Sequence, residues 1–123
     1  MANIDELKQY KHIHLIGIGG VSMSGIAEIL HSWGFIVTGS DRSQSENTEK
    51  LIKNHIPVTI GHDLENLEKS NLVVYSAAVP KDDIELVRAR ELNIPIIERG
   101  TFLGILTKAF KNTICVSGTH GKT

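Results

Sequence analysis

The sequence predicts an α/β fold, a Rossmann-like parallel sheet with helices on both faces. Short runs rich in aliphatic and β-branched residues alternate with segments of helical periodicity, and a glycine-rich turn follows the first of these runs. Strands that alternate with helices favour a parallel sheet joined by right-handed crossovers. With 123 residues and 41% hydrophobic content, the chain can bury one core of ordinary domain size but not two.

The elements are predicted in order from periodicity and from turn residues. In the first helix, Ile26, Ile29, Leu30 and Trp33 recur at helical spacing, and Gly34 suits its C-terminal cap. Either Asp82 or Asp83 suits the N-cap of the third helix. The predicted strands are residues 12–18, 35–40, 57–61, 72–77, 95–98 and 112–118. The predicted helices are SMSGIAEILHSW, TEKLIKNH, IELVRAREL and TFLGILTKAF.

Charge and composition exclude several classes of partner. The 13 Lys and Arg residues nearly balance the 14 Asp and Glu residues, so neither a nucleic-acid backbone nor an anionic membrane is an expected partner. Asp5 and Glu6 lie where a secretory signal would be basic, and no apolar run is long enough to span a membrane. The single Cys115 excludes an internal disulfide. These features predict a cytoplasmic protein.

The stretch GIGGVSMSG, Gly17 to Gly25, predicts a phosphate-binding turn between the first strand and the first helix. Glycines let the backbone approach a pyrophosphate, and the helix N-terminus supplies free N–H groups and partial positive charge. Gly17 and Gly19 match the dinucleotide fingerprint, whereas Ser22 occupies its third glycine position. The alternative is purely structural, with Gly20 and Gly25 only permitting close helix packing.

Polar and small residues that follow other predicted strands fall at the carboxyl edge of the sheet, where such folds bind ligands. Asp41 in GSD is placed to accept from a ribose hydroxyl of NAD or of a uridine nucleotide, or else to cap the next segment. The small residues of SAAVP (76–80) either let a ligand lie against the sheet or form a tight turn. His62 in IGHD is a candidate substrate contact or a solvated loop residue. His12 and His14 share a strand face, but the sequence supplies no third ligand for a metal.

The terminal stretch SGTHGKT predicts a nucleotide-phosphate loop. In such loops backbone N–H groups cradle the phosphates, a Lys contacts the outer phosphates, and the final Ser or Thr holds Mg²⁺. Val116 occupies the position of the first glycine in the long form of the motif. The shorter form, GTHGKT from Gly118 to Thr123, is therefore the one that applies.

Together with this loop, the GIGG, MSG, GSD, IGHD, SAAV and IPIIERG stretches closely resemble the N-terminal part of the Mur ligases, from about Lys11 to Thr123. The resemblance implies a three-domain cytoplasmic ligase of peptidoglycan synthesis. Its N-terminal domain would hold UDP-N-acetylmuramate, and its central domain would bind ATP and Mg²⁺. ATP would phosphorylate the lactoyl carboxylate, and the amine of L-alanine would attack the acyl phosphate to give the amide. A sister enzyme that adds a preformed peptide to the same UDP-sugar would share this domain's task.

The resemblance also assigns residues to sites. Lys122 would contact the outer phosphates of ATP, and Thr123 would hold Mg²⁺ in the full-length enzyme. The residues expected around the diphosphate are Gly17, Gly19, Gly20, Val21, Ser22, Met23 and Ser24. Those expected at the uridine end are Ser40, Asp41, His62, Ser76, Ala77 and Ala78. Those expected in the ATP loop are Gly118, Thr119, His120, Gly121, Lys122 and Thr123.

On this resemblance, residues 1–111 form a UDP-sugar-binding domain, and residues 112–123 form the first strand and phosphate loop of an ATPase domain. The chain is expected to be a fragment that binds the UDP-sugar without catalysis and holds neither ATP nor Mg²⁺, because the helix after the loop is missing. The terminal strand is expected to pack against a second copy of the chain or against the edge of its own sheet. Two other classes stay open: the NAD-binding domain of an oxidoreductase, and a non-catalytic relative that senses a nucleotide.

Overall fold

The computed structural model describes the backbone of residues 9–117 and the side chains of residues 9–108. Its centre is a parallel five-stranded sheet in the order β3-β2-β1-β4-β5. The strands are β1 His12–Ile16, β2 Ile36–Asp41, β3 Val58–Ile60, β4 Leu72–Tyr75 and β5 Ile96–Glu98. The predicted Rossmann-like fold is confirmed, and the chain order reverses between β1 and β4, where such folds bind their ligands.

Five helices are described in the same region, α1 Val21–Ser32, α2 Glu46–Lys53, α3 Leu64–Lys69, α4 Ile84–Glu91 and α5 Arg99–Ser117. The sequence did not predict α3. It is too short to display a helical period, but Asp63 caps it by accepting from the backbone amide of Asn66 at 3.0 Å. Asp83, one of the two predicted caps of α4, accepts from the amides of Glu85 and Leu86. Among the described residues, no helix combines the length and apolar character needed to cross a membrane.

The helices cover both faces of the sheet, and each face has its own hydrophobic core. The larger core joins Ile13 and Leu15 of β1 to Met23 of α1, Leu51 of α2 and Phe102 of α5. The smaller core joins alternate strand residues to the opposite helices, and its buried members are Ile16, Leu67, Val73, Leu86 and Ala89. Because successive side chains of a strand point to opposite faces, β1 is buried along its whole length.

The apolar face of α1 differs in part from the predicted one. Ile26 and Leu30 are buried as expected, but Ile29 is 40% exposed, and Met23 and Ala27 complete the buried face instead. Gly34, at φ +95°, follows the end of the helix as predicted. Neither glycine that was considered for close helix packing serves that purpose. A Cβ on Gly25 would meet nothing within 4 Å, and one on Gly20 would meet only the Gly17 carbonyl at 3.6 Å.

The predicted strand at residues 112–118 is wrong over the residues that the structure describes. The chain stays helical from Arg99 to Ser117, through the predicted domain boundary at Lys111 and Asn112. The β-branched residues of this stretch favour a strand, but a strand needs a hydrogen-bonding neighbour, whereas a helix pairs its amides locally. The predicted association through an unpaired terminal strand therefore loses its basis. Residues 118–123, with the predicted ATP loop, lie outside the described part of the chain.

We predict that Gly39→Ala destabilises the fold. A Cβ at this position of β2 would lie 2.7 Å from Cβ of Ile18 and 2.8 Å from the backbone oxygen of Leu15. Because a strand backbone in the middle of a sheet cannot move freely, the cost should be about 1–3 kcal/mol of unfolding free energy. Urea unfolding checks this value.

Gly25→Ala provides the matched control, since its new methyl group would enter open space on a helix. It should leave stability unchanged or raise it by up to about 1 kcal/mol. A Gly39→Ala chain as stable as Gly25→Ala would contradict the close approach of β2 to the glycine turn.

Candidate functional site

A pocket of about 240 Å³ opens at the carboxyl edge of the sheet. Residues at the carboxyl ends of the four strands β1 to β4 line the pocket, because the ends of parallel strands meet at one edge of the sheet. The lining residues are Ile16, Gly17, Gly20, Ser40, Asp41, Arg42, Gly61, His62, Ser76, Ala78, Val79, Pro80, Asp83 and Glu85. This pocket is the candidate functional site.

The turn after β1 is held tightly against the end of β2. The amides of Gly17 and Ile18 both donate to the backbone oxygen of Ser40, at 2.8 and 3.0 Å. Gly17 has φ +82°, a conformation that residues with a side chain rarely adopt. The conformation of the backbone alone therefore favours glycine at this position.

Gly19 lies at the most crowded point of the turn. Its amide donates to Oδ2 of Asp41 at 2.8 Å, and its carbonyl accepts from the side chain of Asn47 at 2.9 Å. A Cβ here would lie 2.8 Å from both Asp41 Oδ2 and Cγ2 of Thr48. The Gly19 amide is thus engaged by Asp41 rather than left open to a phosphate, which departs from the expectation for this glycine.

The N-terminus of α1 is left open on the side of the pocket. Gly20 is its N-cap, no side chain caps it, and its first turn contains no acidic residue. The first intrahelical bond runs from the Ser24 amide to the Gly20 carbonyl at 2.8 Å, so the amides of Val21, Ser22 and Met23 precede it. Such amides, together with the helix dipole, are suited to an anion.

The structure brings about half of the predicted UDP-sugar residues to the pocket wall. These are Gly17, Gly20, Ser40, Asp41, His62, Ser76 and Ala78. The predicted residues outside the lining set are Gly19, Val21, Ser22, Met23, Ser24 and Ala77. Of these, Met23 packs its side chain into the core with 1% exposed, so only its backbone could serve a ligand, while Val21 is 84% exposed.

The floor of the pocket is the carboxylate of Glu85, the second residue of α4, which is 1% exposed. Its Oε1 accepts from Nε2 of His14 at 2.8 Å. Its Oε2 accepts from the hydroxyl of Ser40 at 2.7 Å and from Nδ1 of His62 at 3.0 Å. The side chain of Glu85 thus links helix α4 by hydrogen bonds to β1, to β2 and to the loop after β3.

Behind this carboxylate, the predicted strand face of His12 and His14 is used for hydrogen bonding. Nε2 of His12 and Nδ1 of His14 both lie 2.8 Å from the hydroxyl of Thr38 on β2. All three side chains are buried. The polar groups of β1 and β2 therefore satisfy one another inside the smaller core, as buried polar groups must.

The burial and hydrogen bonding of these groups shift their pKa values. Burial alone would raise the pKa of Glu85, but the hydrogen bonds from His14, Ser40 and His62 outweigh it, and the pKa is lowered. The pKa of Asp63 is lowered in the same way, because the bonds from Asn66 and Thr59 outweigh burial. Burial lowers the pKa of His12, since the charged ring loses its water.

Among the described residues, one group has the composition of a metal site: His62, Asp83 and Glu85 offer ligand atoms within 4.8 Å of one another. The hydrogen bonds explain this proximity without an ion. Both oxygens of Glu85 accept from protein donors, and Oδ2 of Asp83 accepts from two amides at the start of α4. Oδ1 of Asp83 lies 3.9 Å from Nδ1 of His62.

Sequence reasoning missed Glu85, Arg42 and Asp83 as pocket residues. A glutamate in the first turn of a helix is expected at the surface, where it complements the helix dipole. The available signal was its spacing, because Glu85 and Ala89 are four residues apart and share the buried face of α4 with Leu86. A charged residue on an apolar face indicates a buried partner.

We predict that the chain loses stability on acidification in two stages. The folded-state pKa of His12 is below its ordinary value of 6.5, so the unfolded chain binds a proton first as the pH falls through that value. The folded-state pKa values of Glu85 and Asp63 are below 4.5 and 3.8, so their contribution is present above these values and is lost at lower pH. Urea unfolding at pH about 7.5, about 5.5 and about 3 measures both stages.

His12→Gln should flatten the first stage, whereas His31→Gln, on the exposed face of α1, should leave it as in the parent chain. Equal unfolding free energies of the parent at the two higher pH values would contradict the assignment to His12.

Comparisons of sequence place the chain among known ligases. The family described as "Mur ligase family, catalytic domain" matches residues 12–111. UDP-N-acetylmuramate--L-alanine ligase of Acetivibrio thermocellus is 51% identical over 115 residues, which cover 94% of this chain and 24% of that relative. The protein of the same name from Alkaliphilus metalliredigens is 50% identical over 121 residues, 98% of this chain and 26% of that relative. The chain thus spans about a quarter of the length of these curated relatives.

Solved structures agree with this placement. The crystal structure of UDP-N-acetylmuramate-alanine ligase from Thermotoga maritima is 38% identical, with a TM-score of 0.72 over 76% of this chain and 22% of that one. The UDP-N-acetylmuramate:L-alanyl-gamma-D-glutamyl-meso-diaminopimelate ligase from Neisseria meningitides is 34% identical, with a TM-score of 0.65 over 76% of this chain and 30% of that one. The chain belongs to the Mur ligase family.

Proposed function

We propose that this chain is the UDP-N-acetylmuramate-binding part of a ligase that joins L-alanine to that sugar nucleotide in the cytoplasmic stage of peptidoglycan synthesis. The observation that carries the proposal is the pocket itself, which combines an uncapped helix N-terminus with polar side chains at the ends of four parallel strands. Relatives about half identical in sequence bear the name of this activity.

The start of α1 supports binding of the diphosphate. Its free amides and positive dipole end can hold an anion, and Arg42 adds a charge at the pocket wall. A Cβ on Gly20 would meet only the Gly17 carbonyl, so its absence leaves room for phosphate oxygens to approach the backbone. The diphosphate would therefore lie across the turn between β1 and α1.

Asp41 supports recognition of a ribose. It ends β2 and bonds to the Gly19 amide through Oδ2 and to the Ser43 amide at 3.2 Å through Oδ1. Each carboxylate oxygen has a further lone pair, so both can still accept from a ribose hydroxyl. The hydrogen bond from the Gly19 amide to Asp41 also holds the glycine turn in place. Asp41 therefore connects the proposed diphosphate site with the proposed ribose site.

The remaining parts of the proposed reaction depend on residues outside the described ones. Lys122 and Thr123 would serve ATP and Mg²⁺ in the whole enzyme, and catalysis would require the rest of that enzyme. We propose residues 1–111 as the UDP-sugar-binding domain and residues 112–123 as the beginning of the ATP-binding one. The isolated chain should bind the UDP-sugar and form no product.

Two rival functions are distinguished by different experiments. The fold is similar to that of NmrA in complex with NADP, but at 14% identity and a TM-score of 0.57 the likeness concerns the fold alone. A ligase that adds a peptide would accept the same UDP-sugar, as the name of the relative from Neisseria indicates. Binding of NAD would favour the first rival, and only the amino-acid preference of the whole enzyme distinguishes the second.

We predict saturable binding of UDP-N-acetylmuramate to the isolated chain, because the helix that completes the diphosphate site is present. ATP with Mg²⁺ and NAD should bind far more weakly or not at all. NMR titration should move resonances of residues 17–25, 40–41 and 76–78. Saturable binding of NAD at these residues, with no response to UDP compounds, would replace the ligase by an oxidoreductase.

We predict that Asp41→Ala weakens binding of UDP-N-acetylmuramate by about 1–3 kcal/mol in calorimetry, because the ribose loses an acceptor and the turn loses its anchor. Glu46→Ala is the matched control, since Glu46 is an exposed carboxylate at the start of α2 and lies outside the pocket. Equal affinity of the two variants would remove Asp41 from the site.

A further inference from the structure

The buried carboxylate of Glu85 decides which nitrogen of His62 carries a proton. Three side chains lie within hydrogen-bond distance of its two oxygens, and the Ser40 hydroxyl and His62 Nδ1 share Oε2. These contacts are all satisfied when the carboxylate is ionised and accepts from each of them. Nδ1 of His62 must then be the protonated nitrogen, so the neutral ring bears a bare lone pair on Nε2.

That lone pair is available to a ligand. The His62 ring lines the pocket, and its side chain is 50% exposed. The two ring nitrogens point in different directions, so Nε2 faces away from Glu85 when Nδ1 bonds to it. Within the part of the chain that the structure describes, Nε2 of His62 makes no hydrogen bond.

A series of hydrogen bonds from buried side chains of β1 and β2 also holds the Glu85 carboxylate in place. In the neutral form of His14, the protonated Nε2 donates to Glu85, and Nδ1 accepts from the Thr38 hydroxyl. The Thr38 oxygen then accepts from Nε2 of His12. The donor and the acceptor of each hydrogen bond in this series are thereby fixed. Glu85 is therefore fixed by side chains of both central strands before a ligand arrives.

We infer that Glu85 is a positioning residue for ligand selection, which presents Nε2 of neutral His62 as a hydrogen-bond acceptor in the pocket. The inference rests on the proposed function for the identity of the ligand. An acceptor selects an N–H or O–H donor, which the uracil base, the ribose and the N-acetylated sugar all offer. The ionised diphosphate offers only acceptors, so His62 contacts the nucleoside or the sugar, and the diphosphate belongs to the start of α1.

The first arm of the test needs no ligand. Long-range ¹H–¹⁵N spectra of the histidine-labelled chain, at pH about 8 where an ordinary histidine is neutral, distinguish a protonated ring nitrogen from a bare one. We expect His62 protonated at Nδ1 and bare at Nε2. In Glu85→Gln this pattern should become mixed or reversed, because an amide can donate as well as accept. The opposite tautomer in the parent chain would overturn the inference.

The second arm measures binding of UDP-N-acetylmuramate by calorimetry. Glu85→Gln should weaken binding about tenfold, whereas Asp63→Asn should stay within about twofold. Asp63 is the matched control because it, like Glu85, is a buried carboxylate with a lowered pKa, and it lies outside the pocket. His62→Phe should weaken binding as much as Glu85→Gln, and the double variant should lose little more, since both changes remove one contact.

His62→Phe keeps the test informative if Glu85→Gln fails to fold, because a half-exposed ring is not needed for the core. On saturation of the parent chain, the Nε2 resonance should move while Nδ1 keeps its single proton. A ring that becomes doubly protonated on binding would mean that it meets the diphosphate, which overturns the inference. If the parent chain binds no UDP-sugar, the proposed function fails, whereas the tautomer of the free chain still tests the role of Glu85.

Discussion

The hydrogen bonds that converge on Glu85 are the constraint on which the pocket depends. A carboxylate with 1% exposure is stable only if donors replace the water that it has lost, and His14, Ser40 and His62 do so. Their origin on β1, on β2 and after β3 means that the charge can be satisfied only when these strands are in register. The need to satisfy the buried charge of Glu85 thereby fixes the relative positions of the chain segments that form the floor of the pocket.

The same constraint explains why a polar layer interrupts the smaller core. The side chains of β1 alternate between faces, so His12 and His14 point to the face that α4 covers, while Ile13 and Leu15 point to the other. Apolar residues at the histidine positions would leave the Thr38 hydroxyl without these two partners and would remove one of the three donors of Glu85. Removing one member of such a buried network costs more than the bond that it made, because its partner remains desolvated.

Sequence patterns predicted the sheet and the edge where ligands bind, because both follow from the alternation of strand and helix. They predicted Asp41 and His62 as pocket residues for the same reason, since each lies at or just beyond the carboxyl end of a parallel strand. Glu85 was missed because its role depends on which face of α4 packs against the sheet. The residue pattern of α4 does not show that face clearly. The terminal strand was wrong because a strand is defined by its neighbour, which a linear sequence does not supply.

The charged groups that line the pocket are unevenly distributed, and under the proposed function this distribution would orient a nucleotide within it. The positive end of α1 and the guanidinium of Arg42 supply positive charge to its wall, whereas Asp83 and Glu85, at the start of α4, supply carboxylates. An anionic group placed near the start of α4 would meet these two carboxylates, so under the proposed function the diphosphate is favoured at the start of α1. Hydroxyl and N–H groups find acceptors at the opposite side. Under the proposed function, a molecule that has a diphosphate next to a donor-rich sugar or base would fit in one orientation, and a ligase would need such a fixed orientation to present one carboxylate for reaction.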